Sequence, residues 1–336
     1  MSGRHQHRRI LAVIFAAFTL SCPTLAQCAE TRIRHIDITQ IVGHASLDKV
    51  RSGIIDELAD HGYRDKDTIQ IQYENAQGNI VIAAQIAQQF VAHQPDVIVA
   101  IATPSAQAAS NAAQKTNIPI VFASISDPLH SRLISNLEHP GKNITGTRNV
   151  SPIKDQLTLI KTIMPTVKSI GIILNNGEEN SVELVSTIKT EAGKQNILIK
   201  TASATSSADV SAAANHLASQ VDAFLLIQDN TVASALPAVI KISQQSHLPV
   251  FATYLDAVKQ GAIAGLAFDE YRIGRQTGKI VIRILQGEKP GDIAVEDPQE
   301  IELAINLKSA NRLNIKLDAR LLKQAKCIIA DSGNVL

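Results

Sequence analysis

The sequence predicts an α/β fold of two lobes, each a parallel sheet covered by helices. Three observations carry that prediction. Short β-rich runs alternate with helix-like segments from residue 31 onward, the alternation restarts after a turn-rich stretch at residues 139–152, and the central apolar runs are continuous rather than alternating. Strand and helix alternate when each crossover between parallel strands is a helix lying on the sheet. A run such as Phe224-Leu225-Leu226-Ile227 is what a strand buried on both faces looks like. At 336 residues the chain is long for one core and suits two domains of ordinary size.

The first residues, MSGRHQHRR, are basic, ILAVIFAAFTL is apolar, and SCPTLAQCAE is rich in small and turn-forming residues. That order predicts a secretory signal peptide over residues 1–26, with an apolar core too short to span a membrane. An exported, periplasmic or otherwise extracytoplasmic protein is expected. Of the three cysteines, Cys28 is free to pair with Cys327 if cleavage falls before Gln27 and the fold brings the two together. Cleavage before Cys22 or Cys28 would instead leave a lipoprotein anchor, the alternative reading. Neither spacing suggests zinc or a redox pair. Lys+Arg 32 against Asp+Glu 31 leaves a net charge of +1, and no basic stripe follows the first ten residues, which argues against nucleic acid as a partner.

Along the first lobe IRHIDITQIV, TIQIQYENA, DVIVAIAT and IPIVFASIS read as strands, with LDKVRSGIIDELADHG, NIVIAAQIAQQFVAHQ and PSAQAASNAAQKTN as the helices between them. Asp48 suits a first helical turn and Gly62 a helix stop. The second lobe repeats the scheme with SIGIILNN, ILIKTASA, AFLLIQDN and LPVFATY as strands, separated by NSVELVSTIKTEAGKQ, DVSAAANHLASQV and VASALPAVIKISQQS. GAIAGLAFD is a further strand and YRIGRQTGKIVIRILQG a helix ending at Gly287; IELAINLKSANRLN adds a last strand and a short helix.

Ligands of open α/β sheets bind outside the carboxyl ends of the strands, so the polar residues there are the candidates. Thr103, Ser105 and Ala106 open a helix after DVIVAI, a place suited to a carboxylate or to ordinary capping. Asp127 precedes a proline and suits either a ligand wall or an Asx-type turn. Asn180 either caps its helix or reaches a ligand. Asp229, Asn230 and Thr231 interrupt the most apolar run, where capping competes with contact to a ligand cation. His44 sits at the edge after DITQIV. An anion site on one lobe and an acid on the other match the two ends of a free amino acid. Motifs for a nucleophile elbow, a phosphate loop or a zinc protease are absent from the sequence; neither cofactor nor metal is expected. Asp127 and Asp229 are the one pair on which a cleft hydrolase could be built.

The segments QIVGHASLDKVRSG, YENAQGN, QPDVIVAIATPSAQAA, IPIVFASISDPLHSRLI, PGKNITGT, EENS, QDNTV, LPVF and GAIAGLAFDEYRIGRQTGKIVIRILQG, in this order, resemble the substrate-binding proteins of bacterial ABC uptake systems, in the family with tryptophan- and tyrosine-binding members. The resemblance implies the type I periplasmic-binding fold: two Rossmann-like lobes joined by a three-segment hinge, here expected near residues 150, 255 and 292. It implies lobe 1 over 31–150 plus 260–292 and lobe 2 over 151–259 plus 293–336. It further implies a monomer that closes on a small ligand, here an amino acid, and partners in a membrane permease and its ATPase; an exported sensor is the rival use of the same cleft. Carried over by position, Thr103, Ser105 and Ala106 face the ligand carboxylate, Asp127 forms a first-lobe wall, Asp229 and Asn230 lie near the ammonium, and Thr231 stands behind them. The family edge Val-Glu-His-Pro-Ala-Leu-Asp is here Val42-Gly43-His44-Ala45-Ser46-Leu47-Asp48, without the acid and the proline. Phe122, Tyr254 and Tyr271 are the aromatic residues near edges.

Overall fold

The computed structural model describes residues 33–330. The first lobe runs β1 (Arg34–Gln40), α1 (Ala45–Asp60), β2 (Ile69–Asn75), α2 (Ile80–His93), β3 (Val97–Ile101), α3 (Thr103–Ala112), β4 (Ile120–Ile125) and β5 (Ile144–Arg148). Its five strands are all parallel in the order β2-β1-β3-β4-β5. The chain then crosses to the second lobe with α4 (Ile153–Ile163), β6 (Ser169–Leu174), α5 (Glu179–Lys194), β7 (Leu198–Ser203), α6 (Val210–Ala218), β8 (Ala223–Leu226), α7 (Asn230–Ser234), α8 (Leu236–Gln245), β9 (Val250–Ala252), α9 (Leu255–Gln260) and β10 (Ala264–Phe268). After β10 it returns as α10 (Glu270–Leu285), and finishes with β11 (Ile301–Asn306), α11 (Leu307–Arg312), α12 (Ala319–Gln324) and β12 (Cys327–Ile329).

The second sheet has the order β12-β11-β10-β9-β8-β6-β7 and is parallel except where β10 meets β11. This corrects the expected lobe division. β10 pairs with β9 and β11, so the second lobe extends through residue 268 rather than ending at 259. In the other direction, Ile293 is buried with the apolar face of α10 in the first-lobe core, and Val295 N donates to Leu137 O at 2.7 Å. The segment 293–297 therefore belongs with lobe 1, and the crossings fall at residues 149–152, at Asp269 and at 297–300. The Arg148 guanidinium clasps the Asp297 carboxylate at 2.5 and 2.8 Å, tying the first crossing to the third.

Helices α1 and α10 touch backbone to backbone. A Cβ on Gly53 would lie 2.2 Å from Tyr271 O and one on Gly274 2.1 Å from Val50 O, so only glycine permits this approach. The contact fixes the starts of both helices relative to one another, and both starts face the space between the lobes. The residues of the expected signal peptide, with Cys22 and Cys28, lie outside the described residues; Cys327 is buried in β12. Among the described residues, no helix is long and apolar enough to cross a membrane.

Candidate functional site

A cavity lies between the lobes at the carboxyl ends of both sheets, the place where open α/β sheets bind small molecules. The first lobe contributes His44 and Ser46 from the start of α1, Ala102 and Thr103 from the β3–α3 junction, Ser124 and Ser126 from the end of β4, and Asn149 from the first crossing. Asn180, Gln228, Asp229, Asn230 and Tyr254 line it from the second lobe, and Glu270 from the start of α10. The backbone is strained at this edge: Ala102 has φ 72° and Ser124 φ 60°, conformations that favour glycine and cost a residue with a Cβ about 1–3 kcal/mol each.

Four polar atoms of the wall have no partner among the described residues. His44 Nε2, Asn149 Oδ1, Asn180 Oδ1 and Tyr254 Oη are buried without a hydrogen-bond partner. A buried polar group left unpaired costs about 1–3 kcal/mol, so four at one cavity mark a surface built for the polar groups of something else. Asn180 and Asn149 are aimed by their amide nitrogens, which donate to Gln228 O at 3.1 Å and Ser124 Oγ at 3.2 Å. Burial drives the His44 imidazole down to about 4, against the pull of Asn230, Asp48 and Asp256, so it is neutral at pH 7.

Two carboxyls complete the lining. Burial pushes Asp229 up to about 7, with the nearby Glu178 adding to the rise. Glu270 goes up to about 8, again by burial first and the Asp256 charge second. Among the described residues the lining contains no Lys or Arg. Lys49 stands nearby in an ion pair with Asp256 that spans the lobes; burial opposes its charge, but the Asp256 carboxylate outweighs that and leaves it above the ordinary lysine value. Ser46 Oγ donates to the same Asp256 at 3.3 Å, Gln107 Nε2 to Glu179 Oε2 at 2.5 Å, and His130 Nε2 lies 3.5 Å from Glu183 Oε2. The lobes are closed over the cavity.

Of the residues singled out in the sequence, His44, Thr103, Asn180, Asp229 and Asn230 meet at this cavity. Ser105 is fully buried without lining it, and the Ala106 N–H is spent on Ala102 O within α3. Thr231 faces a separate groove, its hydroxyl donating to Glu178. Asp127 lines an adjoining cavity and caps a turn, its Oδ1 accepting from Leu129 N and His130 N at 2.9 Å. Asp229 is also a cap: Oδ1 accepts from Val232 N at 2.8 Å and Oδ2 from Asn175 N at 2.7 Å. Asp127 and Asp229 thus line different cavities, each engaged as a cap. Asn180 does not cap α5, whose N-cap is Glu178. Among the aromatics Tyr254 reaches the cavity, while Phe122 is core and the half-exposed Tyr271 bonds Asp56. Glu270 escaped sequence reasoning because DEYR reads as an acidic first helical turn; its one signal was its place directly after a strand end.

Two α/β lobes, three crossings and a cavity closed between them define the type I periplasmic-binding fold. More particularly, residues 35–329 match the family described as ABC transporter substrate binding protein, and the chain belongs to it. As a class these proteins work outside the cytoplasm and bind their ligands rather than convert them. The chain is 36% identical over 294 residues to a tyrosine-binding protein of Clostridioides difficile (strain R20291), covering 87% of this chain and 85% of the relative. It is similar to the ABC domain in complex with L-Trp from Streptococcus pneumonia, with 34% identity, a TM-score of 0.85, and 88% of this chain and 100% of that one covered. Against the ligand-free, open structure of a Clostridium difficile substrate-binding protein with adhesive properties, identity is 33% and coverage 85% and 97%, but the TM-score is 0.64. At nearly equal identity the lobes sit as in the liganded relative, in line with the bridges across the cleft.

Proposed function

We propose that this protein is the extracytoplasmic binding component of an ABC uptake system and that its ligand is an amino acid, an aromatic one such as tryptophan or tyrosine being favoured, enclosed between the lobes. The observation that carries the reading is the closed cavity ringed by partnerless buried polar atoms. The names of the similar proteins, one tyrosine-binding and one bound to L-Trp, direct it toward amino acids. His44, Thr103, Asn180, Asp229 and Asn230 are the proposed lining contacts from the sequence, with Ser105, Ala106, Asp127 and Thr231 as supports behind them.

In the cycle that follows, the open protein takes ligand on one lobe, the three crossings rotate, and the second lobe completes the contacts. The ligand favours closure only because it gains contacts there that the open form lacks. Permease and ATPase then receive the closed form. The test is calorimetric titration of refolded, ligand-stripped protein with the twenty amino acids, backed by thermal shift. A ligand at a hundredfold excess over Kd adds about 2.7 kcal/mol of stability. The protein contains no Trp, so bound tryptophan also reports by its own fluorescence. Saturable binding of an aromatic amino acid is expected; absence of heat with all twenty would sink the reading.

A further inference from the structure

One carboxyl at the cavity takes no hydrogen bond from any other described residue. Glu270, the first residue of α10, is 3% exposed and lines the cavity. Its neighbour Asp269 does the capping, accepting from Tyr271 N at 2.8 Å and Arg272 N at 3.2 Å. Among the described residues, Glu270 has a hydrogen bond only with its own backbone N–H. Lys49, the cation whose field it feels, is ion-paired with Asp256. Asp229 is in the opposite position, with each oxygen already accepting a backbone N–H.

We infer that Glu270, rather than Asp229, receives the ammonium group of the ligand and sets the preference for amino acids over the same acids lacking the amino group. This rests on the amino-acid reading of the site. An ammonium carries three donors. Elsewhere in its lining the same cavity offers acceptors still in need of donors, Asn149 Oδ1 and Asn180 Oδ1, with Tyr254 Oη, itself 3% exposed, able to accept as well. The hydroxyls of Thr103, Ser124 and Ser126 on the first-lobe wall remain for the ligand carboxylate. Burial first and the Asp256 charge second raise Glu270, more than Lys49 offsets, and a ligand cation supplies a further countercharge. Glu270 also stands next to the crossing at Asp269, so the group that grips the ammonium is one residue from a segment that turns when the lobes close.

The experiment compares L-tryptophan with indole-3-propionate, and L-tyrosine with 3-(4-hydroxyphenyl)propionate, by calorimetry on wild type, Glu270→Gln and Asp229→Asn. Loss of a buried charge partner weakens binding by about 100-fold, so wild type should prefer each amino acid over its deamino analogue by about that factor. In Glu270→Gln the preference should fall to within about threefold, by weaker amino-acid binding alone. Preference retained in Glu270→Gln, or erased by Asp229→Asn instead, overturns the inference. Wild type that binds no amino acid at all refutes the functional reading beneath it. A second measurement needs no Glu270 variant. Titration in two buffers of different ionisation enthalpy should show proton release on binding at pH 7 that persists in Asp229→Asn; no release from either protein counts against Glu270.

Discussion

Glu178 and Glu270 are both glutamates beside the inter-lobe space, 5% and 3% exposed, and the protein treats them in opposite ways. Glu178 collects four donors, the backbone N–H groups of Asn230 and Thr231 at 3.0 and 2.9 Å with the Asn230 amide and the Thr231 hydroxyl at 2.5 and 2.8 Å. It joins the loop before α5 to the start of α7. Glu270 collects none from any other described residue. An acid that is fully partnered holds the second-lobe wall in place, whereas an acid left bare at a cavity is available to a ligand. The same contrast separates the triplet Asp229-Asn230-Thr231, whose polar atoms are largely spent on Glu178, Asn175 and Val232, from the partnerless atoms around it.

The two glutamates differ most in what their removal costs the fold. Glu178→Ala strands buried donors on Asn230 and Thr231 and should cost about 3 kcal/mol, read by urea unfolding. Glu270→Gln should leave stability unchanged or improved, because an acid held protonated up to about pH 8 is replaced by a neutral amide. Equal losses in both variants would erase the distinction. Next in size is Gly274→Ala, whose Cβ would sit 2.1 Å from Val50 O; pushing α1 from α10 should cost about 2 kcal/mol and, by moving Glu270, weaken amino-acid binding as well.

Contact with an ammonium needs the Glu270 carboxylate, and in the empty closed protein that group holds its proton up to about 8. Affinity should therefore fall with falling pH, by up to about tenfold per unit below 8, and level off above it. Asp256 and Asp269 raise this group and Lys49 lowers it, so the profile should shift downward if Asp256 is neutralised. The smallest effect is expected at the cross-lobe pair. Lys49→Met removes a half-exposed ion pair that favours closure and should raise Kd by about tenfold or less, with the difference shrinking in high salt.

Much of this architecture was legible in the sequence because buried parallel strands announce themselves as continuous apolar runs. β3 and β8 are such runs, and each ends at residues that meet in the cavity, Thr103 after one and Asp229 after the other. β5 was hidden: Ile144–Arg148 reads ITGTR, a mixture of small and polar residues that becomes a strand only because β4 lies beside it. β10 was visible as a strand, but not which sheet it joins, since its partners β9 and β11 are chosen by tertiary packing. At the site, His44 and Asn180 could be named from their edges, whereas Glu178 and Glu270 could not. Nothing local separates a glutamate that is buried and bonded from one in a solvated first helical turn; only the lobe-to-lobe arrangement does.

The closed cavity is proposed to hold an amino acid. Calorimetric titration of ligand-stripped protein with L-tryptophan and L-tyrosine tests it most directly. The structure predicts one saturable site per chain, with affinity lost in Glu270→Gln. Flat isotherms for both, with the protein shown to be folded, would contradict the account.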